Sequence, residues 1–140
     1  MHNSFQIRKR SYLSEFMSLI INFHMSDDHL SINLFTIDVD DTPLARGIGI
    51  QHKRCILIVS ITAFSISIYQ NGERKFYSSF ECVKKYGYKM VTRRFMFEFG
   101  RRSLYGEGIL LFDIKDRPVG ELSQRVKDAE EVHGGRLYST

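Results

Sequence analysis

Two pairs of basic residues are the groups in this chain that could bind an anion. Lys84-Lys85 follows a short apolar segment, and Arg101-Arg102 follows a segment in which three phenylalanines alternate with other residues. Alternation with a period of two places these rings, within residues 95–99, on one face of a strand. The sequence therefore predicts two strands that end in cationic pairs and are joined through a short hairpin connection, so that the pairs converge in many packings.

The composition is that of a globular domain of moderate size. The chain has 140 residues, of which 43% are hydrophobic and 13% aromatic, enough for one domain with a sizeable core. Its formal net charge is only +4, whereas a nucleic-acid-binding protein usually carries a denser basic stripe. The charge suits an acidic partner such as a phosphopeptide or an anionic membrane surface, and we expect no nucleic-acid partner.

Cysteine and histidine show no spacing typical of a metal site. Cys55 and Cys82 each lie in an apolar strand pattern, which favours reduced thiols in the core of a cytosolic protein. The sequence also shows no nucleophile paired with a base, and the turn at residues 106–108 is too short to count as a nucleotide motif. We therefore expect a protein that is not an enzyme and that needs no metal or cofactor.

The first 28 residues form an extension that precedes the strands. Apolar residues recur at intervals of three and four over residues 11–23, which predicts an amphipathic helix that either packs on the domain or contacts anionic lipid through Arg8-Lys9-Arg10. Glu15 and Asn22 interrupt this run, which is also too short to span a bilayer. We expect a soluble, intracellular protein.

Seven segments are typical of short strands. They cover about residues 30–39, 55–60, 64–69, 74–78, 79–84, 94–99 and 109–114. The dipeptide Asn71-Gly72 between the third and fourth is the strongest hairpin signal in the chain. The segment from Leu44 to Gln51 stays ambiguous. Strands at such short spacing favour an antiparallel sandwich or barrel.

The last element changes to a helical period. Apolar residues recur at three and four at Val119, Leu122, Val126 and Ala129, after Pro118 and before Gly134-Gly135. The predicted helix covers about 117–133, and it must dock its apolar face on the sheet while Lys127 and Glu131 stay in water. The fold class is therefore mainly β, with a seven-stranded antiparallel sandwich or barrel capped by a C-terminal helix.

The order of seven strands followed by a helix resembles the pleckstrin-homology-like superfold. Within it, residues 81–112 resemble the phosphotyrosine-binding (PTB) domain of the insulin-receptor-substrate and docking-protein (Dok) type. The matching elements are Val83–Gly87, for hydrophobic-R-R-Y-G, and Phe95–Leu110, for F-x-F-E-x-G-R-R-C-x-T-G-x-G-x-F. The domain suggested by this resemblance covers residues 29–134, and residues 135–140 form a tail.

The chain departs from the family pattern at several positions. Lys84-Lys85 stands where the family usually has two arginines, Ser103 replaces a cysteine, and Tyr105 replaces threonine or serine. The loop 88–94 is about two residues longer than usual. Because lysine supplies charge without a bidentate fork, the lysine pair bears on how strongly binding depends on phosphate.

The resemblance implies a cytoplasmic adaptor domain that binds NPxpY-like phosphotyrosine peptides of receptor tyrosine kinases or their substrates. Arg101 and Lys84 match the principal phosphate ligands, whereas Lys85 and Arg102 are expected on the alternate strand faces as supporting or solvated charges. The peptide would add a strand beside the fifth strand, residues 79–84, with the C-terminal helix as the other wall. The groove residues are expected to be Phe80, Cys82, Val83, Leu122 and Val126.

Two other binding functions remain open at this stage. A phosphoinositide-binding module of the same superfold would use Arg8-Lys9-Arg10 and Lys53-Arg54 and would be recruited to the inner face of the plasma membrane. A phosphate-independent peptide adaptor is the other, because Lys84-Lys85 lacks the arginine forks.

Overall fold

The computed structural model describes residues 32–50 and 53–134, which form seven strands and two helices. The strands are β1 (Ile32–Val39), β2 (Arg54–Ser60), β3 (Ser65–Gln70), β4 (Glu73–Ser79), β5 (Val83–Lys89), β6 (Arg94–Phe99) and β7 (Gly108–Ile114); the helices are α1 (Pro43–Gly47) and α2 (Val119–Val132). The helix predicted within residues 1–28, with Arg8-Lys9-Arg10, and the tail 135–140 lie outside the described residues.

The seven strands form one antiparallel sheet in the order β4-β3-β2-β1-β7-β6-β5. The predicted fold class is confirmed: the protein is mainly β with a C-terminal helix, consistent with a pleckstrin-homology-like sandwich. The sheet is not closed, and β4 and β5 are its edges in the described part of the chain. Asn71 and Gly72 both have positive φ, 53° and 79°, as a two-residue hairpin turn of the predicted kind requires.

Rings from the two halves of the sheet meet in the core. Phe95, Phe97 and Phe99 are buried on the inner face of β6, as their alternation predicts. The Phe99 ring lies 5.0 Å from Phe76 of β4, centroid to centroid, so the two ends of the strand order face each other. The join between the halves is short, since β1 and β7 pair over only residues 37–39 and 112–114.

Helix α2 covers one open side of the sandwich. Its predicted apolar positions Val119, Leu122, Val126 and Ala129 are all buried, and Lys127 and Glu131 are exposed, which confirms the predicted docking. At its C-terminal end, the His133 ring stacks on Phe64 with centroids 4.4 Å apart, and His133 Nε2 lies 2.9 Å from the Ile61 carbonyl oxygen. The helix thus spans from β5 to the β2–β3 turn.

The predicted bounds of the fifth strand are wrong. Residues 79–84 were expected to be a strand, but the chain turns there, since the Val83 N–H donates to the Phe80 carbonyl at 3.0 Å. The Phe80 ring is fully buried and its N–H bonds to the Phe64 carbonyl, so its apolar character serves a turn into the core. As a result Lys84-Lys85 lies near the start of β5, and the strand runs on to Lys89.

The ambiguous segment after β1 contains the short helix α1. Its N-cap is Thr42, whose Oγ1 accepts a hydrogen bond from the Ala45 N–H at 3.1 Å, and Pro43 occupies the first turn. Leu44 and Ala45 are buried. The Thr-Pro pair was therefore a helix start, and at five residues the helix is too short for a periodic pattern to reveal.

Candidate anion-binding site

The four predicted phosphate-binding residues lie at one end of the β5–β6 hairpin, which we call the hairpin base (Lys84, Lys85, Arg101 and Arg102). Because the two strands are antiparallel, the start of β5 lies beside the end of β6, with Val83 opposite Phe99. The Gly100 N–H continues the ladder by donating to the Cys82 carbonyl at 2.9 Å. The lysine pair therefore comes beside the arginine pair by opening β5, although the sequence predicted that it closes that strand.

A β-bulge sets the direction of the two lysines. The register shifts between Val83 and Lys85, so Lys84 is the extra residue on β5. Both ammonium groups consequently reach the same carboxylate: Lys84 Nζ lies 4.0 Å and Lys85 Nζ 3.6 Å from an oxygen of Glu98. The prediction that neighbouring cations point to alternate faces is wrong for this pair, because a bulge interrupts the alternation.

Arg101 extends from a turn that follows β6. Its side chain is 90% exposed, and its Nε lies 3.8 Å from Glu107 Oε2. The turn is closed by backbone hydrogen bonds from Ser103 to Gly100 and from Gly106 to Ser103, and Gly106 has a φ of 86° that favours glycine. The guanidinium is therefore free to reorient while its backbone is held.

The neighbouring positions Arg102 and Ser103 differ in burial. Arg102 is exposed, whereas Ser103 is buried and its hydroxyl has no hydrogen-bond partner among the described residues. Ser103 therefore does not offer its hydroxyl at the surface.

The residues predicted to line a peptide groove are mostly core residues. Phe80, Val83, Leu122 and Val126 are fully buried, and only Cys82 is partly exposed. The four buried side chains hold β5 and α2 in place but do not line an open groove, which corrects that part of the prediction. The Phe80 ring packs against Phe64 and Phe97, and α2 lies against β5.

A contact that the sequence analysis missed ties β5 to α2. The Tyr86 phenol of β5 lies near the Glu130 carboxylate of α2, and burial, together with that negative charge, raises the pKa of Tyr86. Tyr86 follows Lys85 on β5, so Glu130 brings α2 close to a strand that forms one edge of the described sheet. Nothing in the sequence pairs these two residues, because they are far apart along the chain.

The other residues that the sequence analysis considered are placed as follows in the described part of the chain. Arg54 of the pair Lys53-Arg54 forms an ion pair with Asp38, and this hydrogen bond lowers the pKa of that carboxyl. Cys55 and Cys82 are free thiols, and burial raises the pKa of Cys55 to about 11. No group of three metal-ligating side chains converges in residues 32–50 and 53–134, and no helix there is long and apolar enough to cross a bilayer.

Comparisons with known proteins assign no family to this chain. No family model matches it, and no curated protein matches it significantly.

Proposed function

We propose that this chain is a non-catalytic adaptor domain of the cytoplasm that binds NPxpY-like phosphotyrosine peptides of receptor tyrosine kinases or their substrates. The observation that carries the proposal is the hairpin base. The β-bulge at Lys84 and the hydrogen bond from Gly100 to Cys82 hold two cationic pairs at one end of β5, which is an edge strand of the sheet that the structure describes. The motif resemblance of residues 81–112 supports the same function.

The hairpin base offers two kinds of phosphate ligand. A phosphotyrosine brings about −1.5 to −2 charges and three strong acceptor oxygens. Arg101 can bond two of these oxygens through its planar fork, and Lys84 adds a point charge. In the structure both residues contact carboxylates, but exposed ion pairs of this kind contribute little free energy. A phosphate dianion can therefore displace Glu107 from Arg101 and Glu98 from Lys84.

The peptide backbone would add to the edge of the sheet. Among the described strands, β5 pairs only with β6, so its outer edge can accept a further strand. The Asn-Pro of the peptide would form a turn that brings the phosphotyrosine to the hairpin base. Helix α2, which contacts β5 and buries Leu122 and Val126, would form the other wall.

The test is a titration of matched NPxY and NPxpY peptides at two salt concentrations, with wild type, Arg101→Gln and a matched control. Arg101→Gln removes a charge-assisted pair worth roughly 1.5–3 kcal/mol per bond, so the phosphopeptide affinity should fall tenfold or more. The control is Arg93→Asn, which removes one charge at the opposite end of the same hairpin, where Arg93 has a φ of 62° that asparagine tolerates. Thermal melts should show both variants folded.

Two outcomes would replace this proposal. If Arg101→Gln binds the phosphopeptide as tightly as wild type, the hairpin base is not a phosphotyrosine site. If wild type binds both peptides equally, the chain is a phosphate-independent peptide adaptor. The contact of both lysines with Glu98 favours that second candidate, because it leaves less positive charge for a phosphate.

A further inference from the structure

The turn at the far end of the same hairpin exposes two large apolar side chains. Residues 90–93 connect β5 to β6, and we call residues 88–93 the hairpin tip. The side chain of Met90 is 69% exposed and that of Val91 is 96% exposed. Adjacent exposed apolar residues carry a hydration cost that a binding partner can relieve.

The apolar pair is flanked by positive charge. Lys89 precedes it and Arg93 ends the turn, and both side chains are exposed. The sequence has no acidic residue between Glu81 and Glu98, so the hairpin tip itself contains no carboxylate side chain. Tyr88, which is 41% exposed, adds an amphipathic ring of the kind found where an apolar phase meets water.

Residues next to the hairpin tip hold it in place. Arg94 is held by ion pairs with Asp40 and Asp113, and the Ile114 N–H donates to the Arg93 carbonyl at 3.1 Å. The Tyr88 ring stacks with Phe95 at a centroid distance of 6.1 Å. Met90 and Val91 are therefore presented on a defined turn, and burying them on a partner costs less ordering entropy than it would from a loose loop.

We propose that the hairpin tip contacts an anionic membrane surface, with Met90 and Val91 in the headgroup–acyl boundary and Lys89 and Arg93 among anionic headgroups. The combination favours a bilayer because such a surface offers an apolar layer directly beneath a layer of negative charge. The hairpin tip includes neither Arg8-Lys9-Arg10 nor Lys53-Arg54, the cationic segments that the sequence analysis considered for lipid binding. It also goes beyond peptide binding: Lys89 lies five residues after Lys84, about 17 Å along β5, so both ends of the hairpin can be occupied together.

The chain contains no tryptophan, which allows a reporter at a single position. Val91→Trp is titrated with vesicles of equal parts phosphatidylcholine and phosphatidylserine and with vesicles of phosphatidylcholine alone. We expect a blue shift, and quenching by acyl-chain-brominated lipid, with the anionic vesicles. The matched control is Val132→Trp, since Val132 is 65% exposed but follows two glutamates. Its emission should not change.

Co-sedimentation with the same vesicles tests the unlabelled surface. Met90→Ser/Val91→Ser should weaken binding about tenfold or more, because two aliphatic side chains no longer leave water. Lys89→Gln/Arg93→Asn should weaken binding and flatten its salt dependence. Val132→Ser should bind like wild type, and thermal melts should be unchanged for all variants, since every altered side chain is exposed.

The outcomes separate this proposal from the proposed function. Arg101→Gln should keep vesicle binding whatever its effect on phosphopeptide, and Met90→Ser/Val91→Ser should keep phosphopeptide binding. If Val91→Trp shows no lipid-dependent change, or the serine variant sediments like wild type, the membrane contact at this turn is wrong. Vesicle binding by Arg8-Lys9-Arg10 or by Lys53-Arg54, or docking of the tip on a protein, would then replace it.

Discussion

At its base the β5–β6 hairpin holds Lys84 and Lys85 beside Glu98, whereas at its tip Lys89 and Arg93 flank the exposed Met90 and Val91. Both ends are cationic and both are carried by the same two strands. They differ in what surrounds the charge: a carboxylate at the base and aliphatic side chains at the tip.

This difference indicates which anion each end can hold. At the base, a ligand must displace a carboxylate, so a compact dianion that accepts several hydrogen bonds has the advantage. At the tip, the cations lie beside apolar surface, so a ligand that combines negative charge with an apolar layer has the advantage. Charge count alone does not separate the two sites.

The largest effect is expected on the free energy of unfolding, from a substitution in the core that supports both ends of the β5–β6 hairpin. Phe97→Ala should lower the free energy of unfolding by about 3–5 kcal/mol, because this fully buried ring packs against Phe80, Phe95 and Phe112. Met96→Ser, on the outer face of the same strand, is the control and should cost far less. Chemical denaturation measures both. A small loss for Phe97→Ala would mean that the two ends are not supported by a common core.

The next largest effect is expected for a substitution of Glu98, the carboxylate that distinguishes the hairpin base from the hairpin tip. Glu98→Gln should tighten phosphopeptide binding about twofold to tenfold, because it releases two lysines from exposed ion pairs worth roughly 0.2–1 kcal/mol each. Vesicle binding at the tip should not change. Glu73→Gln, which removes the partner of Lys75 on β4, is the control in the same titration. Weaker phosphopeptide binding by Glu98→Gln would instead assign Glu98 to positioning the lysines.

A pH-dependent effect on the free energy of unfolding is expected at Tyr86, which lies on β5 between the hairpin base and the hairpin tip. Burial and Glu130 raise the pKa of Tyr86 in the folded state, so its protonated phenol stabilises the fold fully below the unfolded pKa of about 10, and this contribution is lost as the pH rises through the folded pKa. Tyr86→Phe cannot ionise. The unfolding free energy of wild type relative to Tyr86→Phe should therefore fall above pH 10, as measured by denaturation at several pH values.

Glu130→Gln provides the control for that titration. Removing the negative charge should bring the pKa of Tyr86 closer to its ordinary value and reduce the fall in stability at high pH. The same fall in Glu130→Gln as in wild type would assign the whole shift to burial.

The smallest effect on ligand affinity is expected from exchanging a lysine for an arginine, at Lys84 in the bulge and at Lys89 in the hairpin tip. Lys84→Arg should bind phosphopeptide as tightly as wild type or more tightly, because a planar fork replaces a point charge. Lys89→Arg at the tip should leave vesicle binding unchanged, because a membrane surface needs charge without bidentate geometry. Parallel peptide and vesicle titrations compare the two exchanges. Weaker phosphopeptide binding by Lys84→Arg would mean that the bulge has no room for a guanidinium.

The sequence by itself determined the elements whose signals are local. The alternating phenylalanines of β6, the Asn71-Gly72 turn and the apolar period of α2 each predicted an element that the structure contains. These signals succeed because strand pleat, turn geometry and helical period act between residues that are close along the chain. The two cationic pairs do lie at one end of a hairpin, but for a different reason than predicted: Lys84-Lys85 was expected to close its strand, and it opens β5 instead.

Only the tertiary structure decided which side chains are covered and which partners meet. Phe80 was predicted to lie in a strand beside a groove, but its ring turns into a core that α2 and β6 complete. The bulge at Lys84 depends on how β5 registers with β6, and the Tyr86–Glu130 contact joins distant elements. Met90 and Val91 are apolar like the core residues, yet no other described element covers them. Burial is set by what packs against a residue, and the residue's own chemistry does not contain that information.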